Sequence, residues 1–513
     1  MPEDLLRKVK MSIPAPWKSC FLSALILGFI AHFYKITNWL PNWDSLVFRY
    51  DPQNMIALGR WFLPVVCAPS SFYDLPWITG LLSILLHGLG AVCICAMFGI
   101  RKNTTAAMIG AAVITFPTVT SVLMYNYVSD GYAIAFLLSC LAALFLAAEK
   151  PRYIAAVLCI ALSAGIYQAY ITVTVMLLLA YLILQTLQKE SDALHLLIKS
   201  VKILAAGIAG MVLYYGVLTA LLKITGTSLL EYQGLNSAAS LSGIDIRSTL
   251  YTIKNTLLSY FFDFSNGLSV FCVLNVLIFA VTALLYLADL LQNRPGPAKL
   301  CLLCVYVLFL PLGSCILAFI NSHIDYHNLM KMGFFVFYLF FLLQYEKLDF
   351  AQPKLKSIKA WTLFAIAVLL IGDNAVLANV SYHKLDMAYE KSYGTLIRIA
   401  DRIEQTAGAE DCSRILVLGT LAGSEAYSVN LPPDMTGTTD GYILRFDDEV
   451  VGQSVLCSAL NDYCGKNYTF LAGEEKDALL EKIQEEDMGI WPASDSILVT
   501  DHVIVIRLGN EVQ

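Results

Sequence analysis

Long unbroken apolar runs dominate the first three quarters of the chain. They lack the period-two or period-3.6 alternation that half-buried strands and helices of a soluble domain show. A bilayer core about 30 Å thick is crossed by about 20 apolar residues in a helix. Eleven runs meet or approach that length: 19–36, 75–99, 106–123, 130–148, 153–166, 170–187, 201–222, 265–290, 300–320, 329–345 and 360–380. The stretch from Tyr153 to Leu187 is too long for one helix and divides at the polar pair Tyr167-Gln168. Past Tyr382 the pattern changes. Met387–Ile403 reads as an amphipathic helix, and Arg414–Leu418, Ser496–Val499 and Val503–Leu508 read as strands. The expected organisation is an α-helical multi-pass membrane protein of about eleven transmembrane helices over residues 1–381. A small soluble C-terminal α/β or α+β domain follows over 382–513.

Charge sets the orientation. Arg7, Lys8, Lys10 and Lys18 precede the first run, which lacks a small-x-small cleavage site and reads as a retained anchor with a cytoplasmic N-terminus. Alternating from there, the inner loops hold 17 Lys and Arg and the outer loops and span ends hold 7. An odd number of spans then puts the C-terminal domain outside the cell membrane. That domain carries 10 basic and 23 acidic residues from Tyr382 onward, against 24 and 17 in the rest. The whole chain is 58% hydrophobic and 14% charged, which excludes a water-soluble globule, a disordered chain and a nucleic-acid binder. The inner loops are short, so chemistry is expected at the outer face.

Most of the 13 Cys lie in apolar runs. Cys301-Leu302-Leu303-Cys304 reads as small buried packing in a membrane helix rather than a metal or redox motif. A Cys457–Cys464 bridge is open to an extracytoplasmic tail. Gly419-Thr420-Leu421-Ala422-Gly423 follows a strand but lacks nucleotide-loop spacing and reads as a turn.

Several polar groups stand at the outer ends of the spans. The first outer loop reads Asn38-Trp39-Leu40-Pro41-Asn42-Trp43-Asp44-Ser45, then Tyr50-Asp51-Pro52, then Leu58-Gly59-Arg60-Trp61. A carboxylate among aromatics above a membrane can take a hydroxyl proton, and an Arg can hold a phosphate by paired hydrogen bonds. The bland account is an interfacial Trp belt with solvated charges. Asp130 opens the fourth span and suits either a helix cap or a sugar hydroxyl. Tyr167 and Gln168 suit either interhelical packing or sugar binding. His323-Ile324-Asp325-Tyr326-His327, with Lys331 four residues on, would place His323, His327 and Lys331 on one face if helical. That strip suits a lipid phosphate, a surface, or less well a zinc ion, because the Glu of H-E-x-x-H is missing. Asp373-Asn374 lies within the last span. The sequence requires no cofactor and leaves room for a divalent metal.

Asn42-Trp43-Asp44-Ser45, Gly59-Arg60-Trp61, Ser129-Asp130-Gly131 and Gly165-Ile166-Tyr167-Gln168-Ala169-Tyr170 resemble, in order and topology, the bacterial glucosyl transferase II family. These are the phage-type O-antigen glucosyltransferases and their Gram-positive relatives. Met488-Gly489-Ile490-Trp491-Pro492 extends the likeness into the tail. The resemblance implies a C-type (GT-C-like) glycosyltransferase of the bacterial inner membrane. It implies a sugar donor on a polyprenyl phosphate and a surface glycan acceptor. Asp44 is then the base, with Asp51 the competing choice, because Ser45 stands where relatives often carry a second acid. Arg60, Lys331, His323 and His327 hold the donor phosphate, and Asp130, Tyr167 and Gln168 line the pocket. A donor-lipid synthase and a flippase are implied partners. The rival readings are a polytopic transporter or lipid flippase with an external cap, and a non-catalytic scaffold or sensor. Outer-face rather than midplane polar groups speak against transport.

Overall fold

The protein is described here from a computed structural model covering residues 13–42, 44–45, 55–71, 73–230, 245–263, 269–348, 354–421, 449–471, 473–480, 482–483 and 488–509. Trp43 and Asp51 lie outside the described residues. Two compact units emerge: Met1–Ile36, Pro52–Leu123 and Val128–Ala378 form one, and Thr37–Asp51, Met124–Tyr127 and Asn379–Gln513 the other.

The helices of the first unit run α1 (Ala15–Thr37), α2 (Leu63–Cys67), α3 (Pro76–Met97), α4 (Asn103–Thr115), α5 (Pro117–Met124), α6 (Ser129–Ala147), α7 (Tyr153–Ile166), α8 (Ile171–Leu187), α9 (Ala193–Thr225), α10 (Ile246–Phe261), α11 (Val270–Asn293), α12 (Pro297–Ser314), α13 (Phe335–Glu346) and the start of α14 (Lys354–Gln405). Among the described residues, eight are long and apolar enough to cross a membrane: α1, α3, α6, α8, α9, α11, α12 and α14. The pair α4 and α5 qualifies together, bent by 42°. The break has a local cause. Phe116 precedes Pro117, and a residue before proline is pushed out of the helical region; its ψ is 136°. Two shorter apolar helices are Tyr153–Ile166 and Met332–Glu346. All eleven apolar runs of the sequence thus coincide with helical segments.

The starts and stops follow local chemistry. Proline occupies the first turn of α3 and α12, where no amide hydrogen is needed. Asp192, Asp245 and Ser269 cap α9, α10 and α11 with their side chains. Between helices, buried hydroxyls donate to backbone carbonyls: Ser163 to Ala135 and Ser139 to Tyr170, both at 2.9 Å. Such bonds satisfy groups that lipid cannot.

Two expectations change. The last span and the amphipathic helix are one continuous element, α14, because no Pro or Gly pair breaks the stretch between them. Cys301 and Cys304 are exposed on α12 rather than packed between helices.

The second unit holds a four-stranded sheet of β1 (Arg414–Leu418), β2 (Thr469–Phe470), β3 (Ile497–Thr500) and β4 (Val503–Arg507) in the order β2-β1-β4-β3. β1 pairs in parallel with β2 and β4, and β3 runs antiparallel to β4. α15 (Glu449–Cys464) and α16 (Glu474–Leu480) complete it. Alternation along β1 sends Ile415 and Val417 to one core with Leu396, Ile399 and Val455. Leu416 and Leu418 go to another core with Leu479 and Met488. Both faces of the central strands are covered, which explains their nearly unbroken apolar runs. β2 is too short to stand out in the sequence. Cys457 and Cys464 are free thiols, and the bridge the sequence left open does not form. Seven residues apart on α15 is about 10 Å of helix rise, beyond disulfide reach.

Candidate functional site

In the first unit, a turn ahead of α2 presents Arg60. Gly59 has φ +75°, and its amide closes the turn onto the Ile56 carbonyl at 2.9 Å. A Cβ at Gly59 would come within 2.6 Å of the Tyr214 hydroxyl and 2.7 Å of Gln168 Nε2. Conformation and space both call for glycine. The same two groups clasp the turn. Gln168 Nε2 donates to the Leu58 carbonyl at 3.0 Å, and the Tyr214 hydroxyl donates to the Gly59 carbonyl at 3.0 Å. Trp61 follows, lying against Gly165 and stacked on Tyr214 at 6.4 Å.

This scaffold holds a nearly buried Arg60, 8% exposed. Its guanidinium sits 4.9 Å above the Tyr167 ring, and Nη1 donates to the Tyr132 hydroxyl at 3.5 Å. Tyr132 and Tyr167 stack on each other at 4.9 Å. Cation–π contact and ring stacking fix the plane of the guanidinium in a setting with little water.

A second cation arrives from the segment before α13. Lys331, 9% exposed, lies 5.4 Å over the Tyr260 ring and donates to Asn328 Oδ1 at 3.4 Å. Burial pulls its ammonium pKa down to about 8, against the opposing charge of Asp325. His327 is within electrostatic reach of Arg60, Lys331 and Asp325. Burial lowers its pKa; Asp325 opposes that, and the two cations lower it further. The short 3-10 turns Gln168–Tyr170 and Asn328–Met330 pack together, which joins the two halves of the cluster.

The structure therefore gathers Arg60, Tyr167, Gln168, His327 and Lys331, drawn from stretches far apart in sequence. His323 differs. Residues 322–327 form a turn and extended chain rather than a helix, so the expected shared face does not form, and His323 is exposed. The amide of Ala318 bonds to the Tyr326 hydroxyl at 3.0 Å and holds the loop in that shape. Asp130 is buried in the first turn of α6, where Oδ1 accepts from the Gly131 amide at 2.9 Å and from the Cys67 thiol at 3.7 Å. The N-cap residue of this helix is Val128, with no side-chain cap, and Tyr132 from the same turn reaches Arg60. Gln168 directs its amide nitrogen to the Arg60 turn and to Tyr214.

Asp44 belongs to the second unit, 6% exposed, in a turn where Asn42 Oδ1 accepts from the Ser45 amide and hydroxyl at 3.0 Å. Trp39, in the same unit, packs on Tyr389 and Tyr463. Asp373 is half-buried on α14.

Sequence reading missed Tyr132, Tyr214 and Tyr260, which contact the cluster from inside helices. It also missed the buried charges Lys35 and Asp74, which attract each other. Tyr214 sits in an apolar run with no local mark. Lys35 was visible as a lone charge near the outer end of the first run.

The family model of Glucosyl transferase GtrII matches residues 33–344, well over half of the chain. The chain belongs to that family. Comparison with curated proteins gives no match, and neither does comparison with solved structures. The GtrII match spans the Arg60 turn, α6, the Tyr167-Gln168 junction and the Lys331 segment. Membership implies a glucosyltransferase with a sugar donor and a glycan acceptor. The apolar helices fit association with a membrane.

Proposed function

We propose that this GtrII glucosyltransferase moves a glucosyl or similar hexosyl unit from a polyprenyl-phosphate donor to a surface glycan on the outer face of the bacterial inner membrane. One observation carries the reading: two nearly buried cations, Arg60 and Lys331, each over a tyrosine ring, with His327 in electrostatic reach of both. Buried charge in an apolar body is costly and is kept where an ionic ligand is handled. A lipid phosphate is such a ligand, and it arrives from the bilayer.

The chemistry is a single displacement with inversion. An acceptor hydroxyl oxygen bonds to the anomeric carbon as the carbon–oxygen bond to phosphate breaks. The phosphate leaves with the electron pair, and Arg60 and Lys331 stabilise its charge by hydrogen bonding and field. Phosphate is a good leaving group, so no strong acid is required. The hydroxyl proton passes to a carboxylate, which the sequence resemblance assigns to Asp44, with Asp51 as the competing choice. The second unit is assigned a role in acceptor choice, outside the membrane.

The test is transfer of labelled glucose from purified lipid-linked donor to the surface glycan by the full-length protein in detergent or liposomes. Donor-dependent label in the glycan, lost on Arg60→Ala, supports the reading. Unchanged transfer by Arg60→Ala would refute it. Cysteines placed at exposed positions of the second unit, such as Glu474, should react with an impermeant reagent in intact cells; labelling only after lysis would reverse the topology.

A further inference from the structure

The first unit has a second polar centre, a cleft of about 520 Å³. Its volume falls within the range of about 300–1,000 Å³ that small ligands occupy. α8 begins beside Gln168 and ends at the cleft with Leu187, and α13 begins beyond Lys331 and ends there with Glu346. At 1.5 Å per residue these helices span about 25 and 18 Å. The cleft therefore lies at the opposite end of the helices from the Arg60 cluster, among the residues counted as inner loops.

Charges of both signs line it. Lys347 Nζ is 2.6 Å from Asp289, which also accepts from Gln344 at 3.3 Å. Glu346 accepts from the Arg101 amide at 2.9 Å. Lys189 and Glu190, adjacent on an exposed turn at the rim, make no hydrogen bond or ion pair with another described side chain. α8, α11 and α13 end here, where Lys102 donates to the Tyr345 and Glu346 carbonyls and Asn293 to the Leu187 carbonyl.

A plain anion would meet Glu190, Asp289 and Glu346. A plain cation would meet Lys189 and Lys347. A small group carrying both charges avoids each repulsion. We propose that this cleft binds a zwitterionic phosphoethanolamine group, its phosphate toward Lys189 and Lys347 and its ammonium toward Glu190. The ligand is either a phospholipid headgroup or the same group free in solution.

The test uses the full-length protein. Native mass spectrometry and thermal shift compare phosphatidylethanolamine with phosphatidylglycerol, and glycerophosphoethanolamine is added as a soluble competitor. Phosphatidylethanolamine should be retained about tenfold better, the ratio set by one charged contact. The Lys189→Gln/Glu190→Gln double variant should remove that preference, and the exposed turn tolerates the change without unfolding. Displacement by the soluble compound identifies a free ligand; a preference that resists it identifies a lipid. Equal retention of the two lipids by the native protein overturns the proposal, as does a preference that survives in the double variant.

Discussion

The two ends of the membrane unit handle positive charge differently. At the end where α8 and α13 finish, lysines close off helix termini. Lys102 donates to the Tyr345 and Glu346 carbonyls at 3.0 and 2.6 Å, Lys199 to the Ala147 carbonyl at 3.1 Å, and Lys347 pairs with Asp289. These side chains complete backbone groups that helices leave open. At the other end, Arg60 and Lys331 are nearly buried, and each is held over a tyrosine ring. A ring face orients a cation without neutralising its charge. Lys102 and Lys199 serve the fold, whereas Arg60 and Lys331 are the cations proposed to meet an anion.

Substitutions separate the two roles. The largest effect is expected at the proposed base. Asp44→Asn should lower transfer by about 10²–10⁴, the usual worth of general base catalysis, while the protein still inserts. Next, Arg60→Ala should lower kcat by about 10²–10³, as loss of a donor to developing charge does. Arg60→Lys should recover only part, since a lysine cannot bond in two directions within one plane. A stability loss of the same size in place of a rate loss would place Arg60 with the structural lysines.

The pH profile sharpens the contrast. Lys331 has its pKa lowered to about 8, so it is charged below that pH and neutral above. The donor phosphate needs the charge, so kcat/KM should fall as pH rises through about 8. Lys331→Arg should carry that limb upward. An unchanged alkaline limb in this variant would remove Lys331 from anion binding. Gly59→Ala should cost about 1–3 kcal/mol in thermal unfolding, from a strained φ and the close Tyr214 and Gln168 groups. The smallest effect is expected at the end where α8 and α13 finish. Lys347→Met should change stability by under about 1 kcal/mol, because its ion pair is partly exposed, and should leave transfer rates alone.

Much of the membrane architecture was legible in the apolar runs. Every run coincides with a helical segment, and even the division at Tyr167-Gln168 is where α7 ends and a 3-10 turn begins. The reason is that lipid forces the backbone to satisfy itself, so a long apolar run has one stable answer. The tail was harder. β1, β3 and β4 stood out, but the two-residue β2 did not, because it makes no pattern of its own. The candidate site was legible as residue types at helix ends and not as an arrangement. Nothing local to Tyr214 or Tyr260 marks them as partners of Arg60 and Lys331. The His323–Lys331 spacing suggested a helical face, but the chain there is held open by Tyr326 and the Ala318 amide.

Composition and periodicity by themselves determined a largely helical, apolar body and an acidic tail with a small sheet. These follow from transfer free energies that act residue by residue. Only tertiary structure decided which cations sit over which rings, which polar groups clasp the Arg60 turn, and where the thiols lie. Those depend on contacts between segments about seventy or more residues apart, and no window of sequence contains both partners.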